Sequence, residues 1–335
     1  MQNIWIMGAG AVGGYMAAHL ARAGHAVSVI DPWAANVEAI RTTGLVVDDL
    51  DGRSSTRLKA TTPGEPPPAG LPDTVVLACK IGQLSKDLDW LEGTARYRGF
   101  YIATLNSLAD ADVARRVGSE RVLSCIVSGL HGELTGPGHI ARKAKRFGSS
   151  AVFRFGEVEK GMSERARFWS DICSAVDTSV AVENLRAERW TKLLYNGMTC
   201  ALCAVAQIPV REMCFDPVWR SRMIDLGLEI VTVAEAKGIA LGKVCDIEPD
   251  LWRRAAHSDA NARRLVEDGI KTFGVSMEKT ARSGAAQDRA RGRASEVDAI
   301  NGAIVREAEM LGRDAPVNRA LRDELIGIER AAGWR

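Results

Sequence analysis

No block of like charge runs through this chain, in which 44 lysines and arginines stand against 42 aspartates and glutamates for a formal net charge of +2. That balance gives no electrostatic track for nucleic acid and no basic face for an anionic membrane. No apolar run approaches the length of a membrane span, and the first strand-like segment begins within a few residues of Met1, too early for a charged and apolar leader. The expectation is a cytoplasmic protein with neither nucleic acid nor membrane as partner. The five histidines form no HExxH or similar cluster, and Cys200-Ala201-Leu202-Cys203 has no second ligand pair nearby, so no metal is expected. The seven cysteines stand in mostly apolar company and read as reduced core thiols rather than as a disulfide framework. What is present, 335 residues of which 46% are hydrophobic, suffices for two domains with sizeable cores.

Residues 1–31 carry the strongest signal. An apolar run, Ile4 to Met7, feeds into Gly8-Ala9-Gly10-Ala11-Val12-Gly13, after which small and apolar residues recur at helical spacing through Leu20 and Ala23 to Gly24. Strand, tight turn and helix in that order make a dinucleotide-binding unit. Gly8 permits the turn, Gly10 lets backbone approach a pyrophosphate, and Gly13 allows close helix–strand packing. A second strand, Ala26 to Ile30, ends in Asp31, whose carboxylate can accept hydrogen bonds from ribose hydroxyls and repels a 2′-phosphate, favouring NAD over NADP. A glycine-rich turn between ordinary elements is the plainer reading, and it leaves the flanks and the acid unexplained.

The first half alternates strand-like and helical stretches, as a parallel sheet with crossover helices requires. Thr74 to Cys79, Gly99 to Leu105 and Arg121 to Ser128 read as strands, and Pro-rich Thr61 to Pro72 as a surface connection. From about Val182 strand signals fade, and Glu183–Gln207, Pro217–Gly238, Glu248–Gly274 and Ser295–Gly312 read as helices. The expected architecture is α/β: a Rossmann-type, doubly wound parallel sheet over 1–181, then an all-helical substrate and dimerisation domain over 182–335. Ser295 is expected to cap the last of these helices with Asp298 answering, and Val297, Ile300, Ile304, Ala308 and Leu311 to form its buried face.

In open α/β sheets ligands bind beyond the carboxyl ends of strands. Lys80 and Gln83 follow one predicted strand and Asn106 another, although a solvated strand end accounts for them equally well. In the helical half, Lys192 and Asn196 are four apart and share a helix face bordered by apolar residues. A desolvated lysine there would have a pKa low enough to exchange a proton with a carbinol oxygen. The alternative is a surface lysine whose stem covers the core.

The glycine motif, Lys80-Ile81-Gly82-Gln83, Asn106, Trp190-x-Lys192-Leu193-x-x-Asn196 and the block Gly292 to Gly302 together resemble the ketopantoate reductase family, in order and spacing over nearly the whole chain. The resemblance implies that Lys192 is the general acid, that Asn196 binds substrate and that Glu296 sits beside the cofactor, making Lys192, Asn196 and Glu296 the catalytic set. It implies cofactor or substrate contacts for Lys80, Gln83 and Asn106, an active site in a cleft between two domains, a small-molecule substrate and a homodimer. The chain departs from the family pattern at three places. Asp31 stands where NADPH-using members have a basic or polar residue, Cys200 replaces a second asparagine, and Gly284 occupies the position of the serine that holds the substrate carboxylate, with Ser283 one residue away. Ser276-Met277 echoes the usual Ser-Met pair but lies too far upstream. The expected activity is hydride transfer between NAD and a 2-hydroxy or 2-oxo acid or related secondary alcohol. Reduction of 2-dehydropantoate itself and a catalytically silent NAD-binding regulator are the alternatives.

Overall fold

In a computed structural model the described residues are 1–142, 151–159 and 162–335, and the chain divides into two compact units, Met1–Leu185 and Arg186–Arg335. The division falls slightly beyond the change in sequence character at 182. Val182 still donates to the Phe155 carbonyl at 2.8 Å, and Leu185 packs so closely on Gly156 that a Cβ there would lie 2.9 Å from it.

The first unit's strands are β1 (Asn3–Met7), β2 (Ala26–Ile30), β3 (Leu45–Asp49), β4 (Gly52–Thr56), β5 (Lys59–Thr61), β6 (Thr74–Leu77), β7 (Phe100–Ala103), β8 (Val122–Val127), β9 (Gly132–Gly136), β10 (His139–Arg142), β11 (Phe153–Glu157) and β12 (Ser179–Ala181). Its helices are α1 (Ala11–Arg22), α2 (Ala34–Thr42), α3 (Leu84–Gly93), α4 (Ala109–Val117) and α5 (Glu164–Cys173). Among the described residues an eight-stranded sheet runs β12-β11-β8-β7-β6-β1-β2-β5. Strand β1 shows why it lies at the centre. Ile4 and Ile6 pack on the face carrying α1, Trp5 and Met7 on the face carrying α3 and α4, and all four are at most 1% exposed. A strand buried on both faces reads as a continuous apolar run, as this one does.

Two features depart from the expected sheet. The pairing of β11 with β8 is antiparallel where a wholly parallel sheet is expected. A second, four-stranded sheet, β4-β3-β10-β9, is absent from the sequence reading because its strands are short and rich in polar residues. It is held to the first by Leu45, Val47 and Ile140, fully buried in the same core as Tyr15 and Met16 of α1. Arg142 adds a buried ionic tie, donating to the Tyr15 hydroxyl at 3.0 Å and to Asp177 at 2.5 Å.

The second unit is helical: α6 (Leu185–Ala206), α7 (Val210–Phe215), α8 (Pro217–Ala236), α9 (Pro249–Ala256), α10 (Ala260–Ser276), α11 (Gly284–Ala290), α12 (Val297–Met310) and α13 (Pro316–Ala331). The stretch 248–274, read as one helix, breaks at Ser258, whose φ is +67°, and Asp259 caps the new helix through the N–H groups of Asn261 and Ala262. The expected cap at Ser295 is also corrected. Glu296 holds the N-cap position of α12, Ser295 Oγ lies 3.4 Å from the Val297 N–H, and Asp298 instead faces Arg306 at 3.5 Å. Leu311, placed on the buried face, is 36% exposed at the helix end. A buried polar relay joins four helices. Asn301 donates to the Gly197 carbonyl (3.0 Å) and to Asn318 Oδ1 (2.9 Å), and Asn318 donates to Leu226 O and Glu229.

All seven cysteines are free thiols. Among the described residues no helix is long and apolar enough to cross a membrane, and no group of three histidine, cysteine or acidic side chains could hold a metal.

Gly13 is the tightest point in the first unit: a Cβ there would lie 2.0 Å from the Gly8 carbonyl oxygen and 2.8 Å from Ala78 Cβ. Because the first clash is with backbone, Gly13→Ala should cost about 3 kcal/mol, the upper end of ordinary overpacking, or more. Denaturant unfolding checks this, and an unchanged midpoint would refute the assigned packing role.

Candidate active site

Strands β1, β6 and β7 are parallel neighbours, so the Gly8 turn, Lys80 and Asn106 emerge at one carboxyl edge. The turn is over-determined. Gly8 has φ +95°, a region open mainly to glycine, and its N–H donates to the Ile30 carbonyl at 2.7 Å. Asp31, 8% exposed, accepts the Ala9 N–H on one carboxylate oxygen at 2.6 Å and the Trp33 N–H on the other at 2.8 Å. Asn36, fully buried, donates to the Ala9 carbonyl at 3.3 Å and accepts from the Gly138 N–H at 2.7 Å, tying the turn to the second sheet. Sequence reading missed Asn36, since one asparagine in a short helix gives no signal by itself.

Gly10 behaves differently from Gly8 and Gly13. Its φ is −71°, within reach of any residue, and a Cβ there would meet nothing within 4 Å. Neither backbone nor packing therefore requires glycine at this position. The helix that starts here has no side-chain cap and no acid in its first turn. An uncapped helix N-terminus beside a surface kept clear of side chains fits the pyrophosphate of a dinucleotide, with Ala11, Val12 and Gly13 in the first turn.

Lys80 is exposed at the end of β6, and Gln83, in the single helical turn that follows, donates to Asp87 at 3.1 Å. Asp87 is only 2% exposed. Burial pushes its carboxyl above the usual range, hydrogen bonds with Cys79 and Gln83 pull it back, and the charge of Asp31 raises it further. Asp31, Cys79, Gln83 and Asp87 are thus electrostatic neighbours. The sequence reading did not single out Asp87, whose signal was its four-residue spacing from Gln83. Beside them, the Thr104 N–H and hydroxyl both donate to the Leu77 carbonyl (3.0 and 2.8 Å), clamping β7 to β6 just before the half-buried Asn106.

In the second unit, Lys192 and Asn196 lie on α6, the lysine half-buried and the asparagine 9% exposed. The helix is held by Leu193, Leu194, Met198, Ala201 and Leu202, all at most 1% exposed. One turn beyond Asn196, burial drives the Cys200 thiol up to about 12, with Lys192 lowering it and Glu296 raising it. Glu296 begins α12, which the Asn301–Gly197 hydrogen bond ties to α6 beside Asn196, so this stretch of α6 and the start of α12 make one patch. Burial also pushes the Tyr195 phenol well up, so it and Cys200 both stay protonated near neutral pH. Ser283 borders the same patch: its hydroxyl donates to the Cys200 carbonyl at 2.8 Å and accepts the Ala286 N–H at 3.2 Å, capping α11. Gly284, next along, is exposed, and a Cβ on it would meet nothing within 4 Å. Ser276 lies elsewhere, closing α10 with its hydroxyl on the Phe273 carbonyl at 2.7 Å. The structure thus assembles Gly8 to Gly13 with Asp31, Gln83 and Asp87 in one unit, and Lys192, Asn196, Cys200, Ser283 and Glu296 in the other.

Comparison with known proteins is consistent with both halves. Residues 4–158 match the family model for ketopantoate reductase PanE/ApbA, and residues 184–329 match the model for its C-terminal domain. A 2-dehydropantoate 2-reductase from Streptococcus pyogenes serotype M3 is 23% identical over 98% of both chains. Among solved structures, D-mandelate dehydrogenase with NADH and anilino(oxo)acetate superposes with a TM-score of 0.81 at 21% identity over 99% of both chains. A PanE/ApbA family ketopantoate reductase from Ralstonia eutropha JMP134 does so with a TM-score of 0.77 at 27% identity, covering 98% of this chain and 99% of the other.

Proposed function

The chain belongs to the ketopantoate reductase family, and on that premise we propose that it is an NAD-dependent oxidoreductase acting on a 2-hydroxy or 2-oxo acid, or a related secondary alcohol, with Lys192 as general acid and base. The observation that carries the reading is α6, where half-buried Lys192 and Asn196, 9% exposed, stand four residues apart above a buried apolar side, and where Asn301 ties Gly197 to the helix that Glu296 begins. A bound nicotinamide would supply the hydride to the carbinol carbon as NADH on reduction and accept it as NAD on oxidation. Lys192 gives a proton to the carbonyl oxygen on reduction and takes it from the hydroxyl on oxidation. Asn196 and Asn106 orient that oxygen, and Glu296 lies by the nicotinamide ribose or biases the lysine. Gly8, Ala9, Gly10, Ala11, Val12 and Gly13 cradle the pyrophosphate, Asp31 receives the ribose, and Lys80 and Gln83 line the strand end beside it. The same reading makes the protein a cytoplasmic homodimer with a small-molecule substrate.

Reduction of 2-dehydropantoate is the second reading, favoured by the activity named for the streptococcal relative. Position 284 bears on the choice. Without a hydroxyl there, a substrate carboxylate leaves water with one hydrogen bond unreplaced, at about 1–3 kcal/mol or roughly ten- to hundredfold in affinity. Ser283 is already engaged by Cys200 and Ala286. The open space over Gly284 suits a larger substrate, and the aromatic 2-hydroxy acid of the D-mandelate dehydrogenase neighbour belongs in the test.

Three measurements test this reading. In a panel of 2-hydroxy and 2-oxo acids assayed with NAD, NADH, NADP and NADPH, Lys192→Met should lower kcat by about 10²–10⁴ while NADH binding stays near normal. Near-normal turnover would return Lys192 to a helix-surface role. Wild type should prefer NADH to NADPH, and Asp31→Asn should shrink the ratio of the two kcat/KM values. The ratio is the proper readout because the substitution also disturbs the Ala9 and Trp33 bonds, and a wild-type preference for NADPH would overturn the assignment. Finally, Gly284→Ser should raise kcat/KM for 2-dehydropantoate about ten- to hundredfold, whereas efficient reduction of that acid by the unmodified enzyme would establish the second reading.

A further inference from the structure

Glu329 is a carboxylate at 1% exposure near the end of α13, far in sequence from the patch on α6. One of its oxygens accepts the Ser295 N–H at 2.8 Å and the other accepts Arg335 Nε at 2.9 Å. Arg335 then donates from Nη2 to the Ser295 carbonyl at 3.1 Å. Both backbone polar groups of Ser295 are therefore gripped by one ion pair, its carboxylate buried and its guanidinium partly exposed. The grip extends along the neighbouring residues. The Trp334 N–H returns to the Glu329 carbonyl at 2.9 Å, the Trp334 indole lies 3.5 Å from where a Cβ of Gly292 would be, and the Arg293 N–H closes on the Asp288 carbonyl at 3.0 Å.

The residue immediately after this clasp is Glu296. Its φ of −88° and ψ of 21° put it outside the regular helix, while its carbonyl accepts the first helical bond of α12 from Ile300 at 2.9 Å. Fixing the Ser295 carbonyl fixes the 295–296 peptide plane, and hence the direction in which the Glu296 side chain leaves the backbone. Five residues on, Asn301 anchors the same helix to Gly197 of α6, the residue after Asn196. Starting a helix needs nothing so costly as a desolvated carboxylate, since a serine side chain ordinarily suffices.

We propose that Glu329, with Arg335, is a positioning residue for Glu296, setting where the Glu296 carboxylate stands relative to Lys192. The inference rests on the functional reading above.

The test uses the full chain and the best substrate from the panel, with kcat, KM for NADH and the pH profile of kcat measured for wild type, Glu296→Gln, Glu329→Gln and the double variant. Glu329→Gln keeps the shape and one acceptor but loses the ion pair. It should lower kcat roughly tenfold, within the range that misplacement of a reacting group costs. The pH profile should shift as it does in Glu296→Gln, and KM for NADH should be unchanged. In the Glu296→Gln background the same change should cost less than about twofold, because two residues acting through one carboxylate are not additive. A full tenfold loss in both backgrounds, or none in either, overturns the proposal. Failure of the functional reading looks different: wild type turns over no acid in the panel, or Glu296→Gln is as active as wild type. Should Glu329→Gln fail to fold, Arg335→Ala, changed at the partly exposed end of the pair, must show the same non-additivity with Glu296→Gln, and an additive loss there overturns the proposal equally.

Discussion

The contact between Gly13 and the carbonyl of Gly8 is the constraint on which the nucleotide half depends. With no side chain at position 13, α1 settles directly against β1 and β6, and its first turn comes to stand over the strand ends. Any larger residue would lift the helix and carry its N–H groups away from the turn. Everything that follows presupposes that seat: the positive φ at Gly8, the Asp31 carboxylate on the Ala9 N–H, and the Asn36 amide on the Ala9 carbonyl. The three glycines of the motif thus answer to three different demands. Gly8 meets a backbone angle and Gly13 a helix–strand distance, while Gly10 meets neither, and the proposed approach of a dinucleotide would account for it.

In the helical half the corresponding constraint is polar. Helix α6 has an apolar side that any well-packed bundle would hold, but its register against α12, and that of α12 against α13 and α8, is fixed by two amides: Asn301 donates to the Gly197 carbonyl and to Asn318 Oδ1, and Asn318 donates to the Glu229 carboxylate. Buried polar groups of this kind contribute modestly to stability and strongly to uniqueness, because one slipped residue leaves several of them unpaired. A site whose working groups sit on two helices and one helix entry needs such registration more than it needs a deeper core.

How far the sequence discloses this depends on the kind of signal. Strand β1, the Gly8 turn and α1 were legible because each position has a local reason that no other arrangement satisfies. The helices of the second half were legible from apolar spacing, although spacing could not show that Ser258 takes a positive φ and divides one run into α9 and α10. Strands β3, β4, β9 and β10 were hidden because they are short and rich in polar residues, and because the pairing that joins their two hairpins spans a long separation, with His139 of β10 beside Val46 of β3. In the site, Lys192, Asn196 and Glu296 came forward through resemblance more than through pattern. Asn36, Asp87 and Glu329 stayed hidden, since a buried polar residue is indistinguishable from an exposed one until its partners are known. The cap at Ser295 was misread for the same reason: its N–H had already been taken by Glu329.

The double bond pattern at Asp31 has a consequence for how such an enzyme could change its cofactor over evolutionary time. The carboxylate proposed to read the adenosine ribose is also the acceptor that closes the glycine turn, through Ala9 on one oxygen and Trp33 on the other. A basic residue at this position would welcome a 2′-phosphate but could answer neither N–H. On the role proposed for Asp31, exchanging one dinucleotide for the other would first require another acceptor for the turn, which ties nucleotide preference to the scaffold.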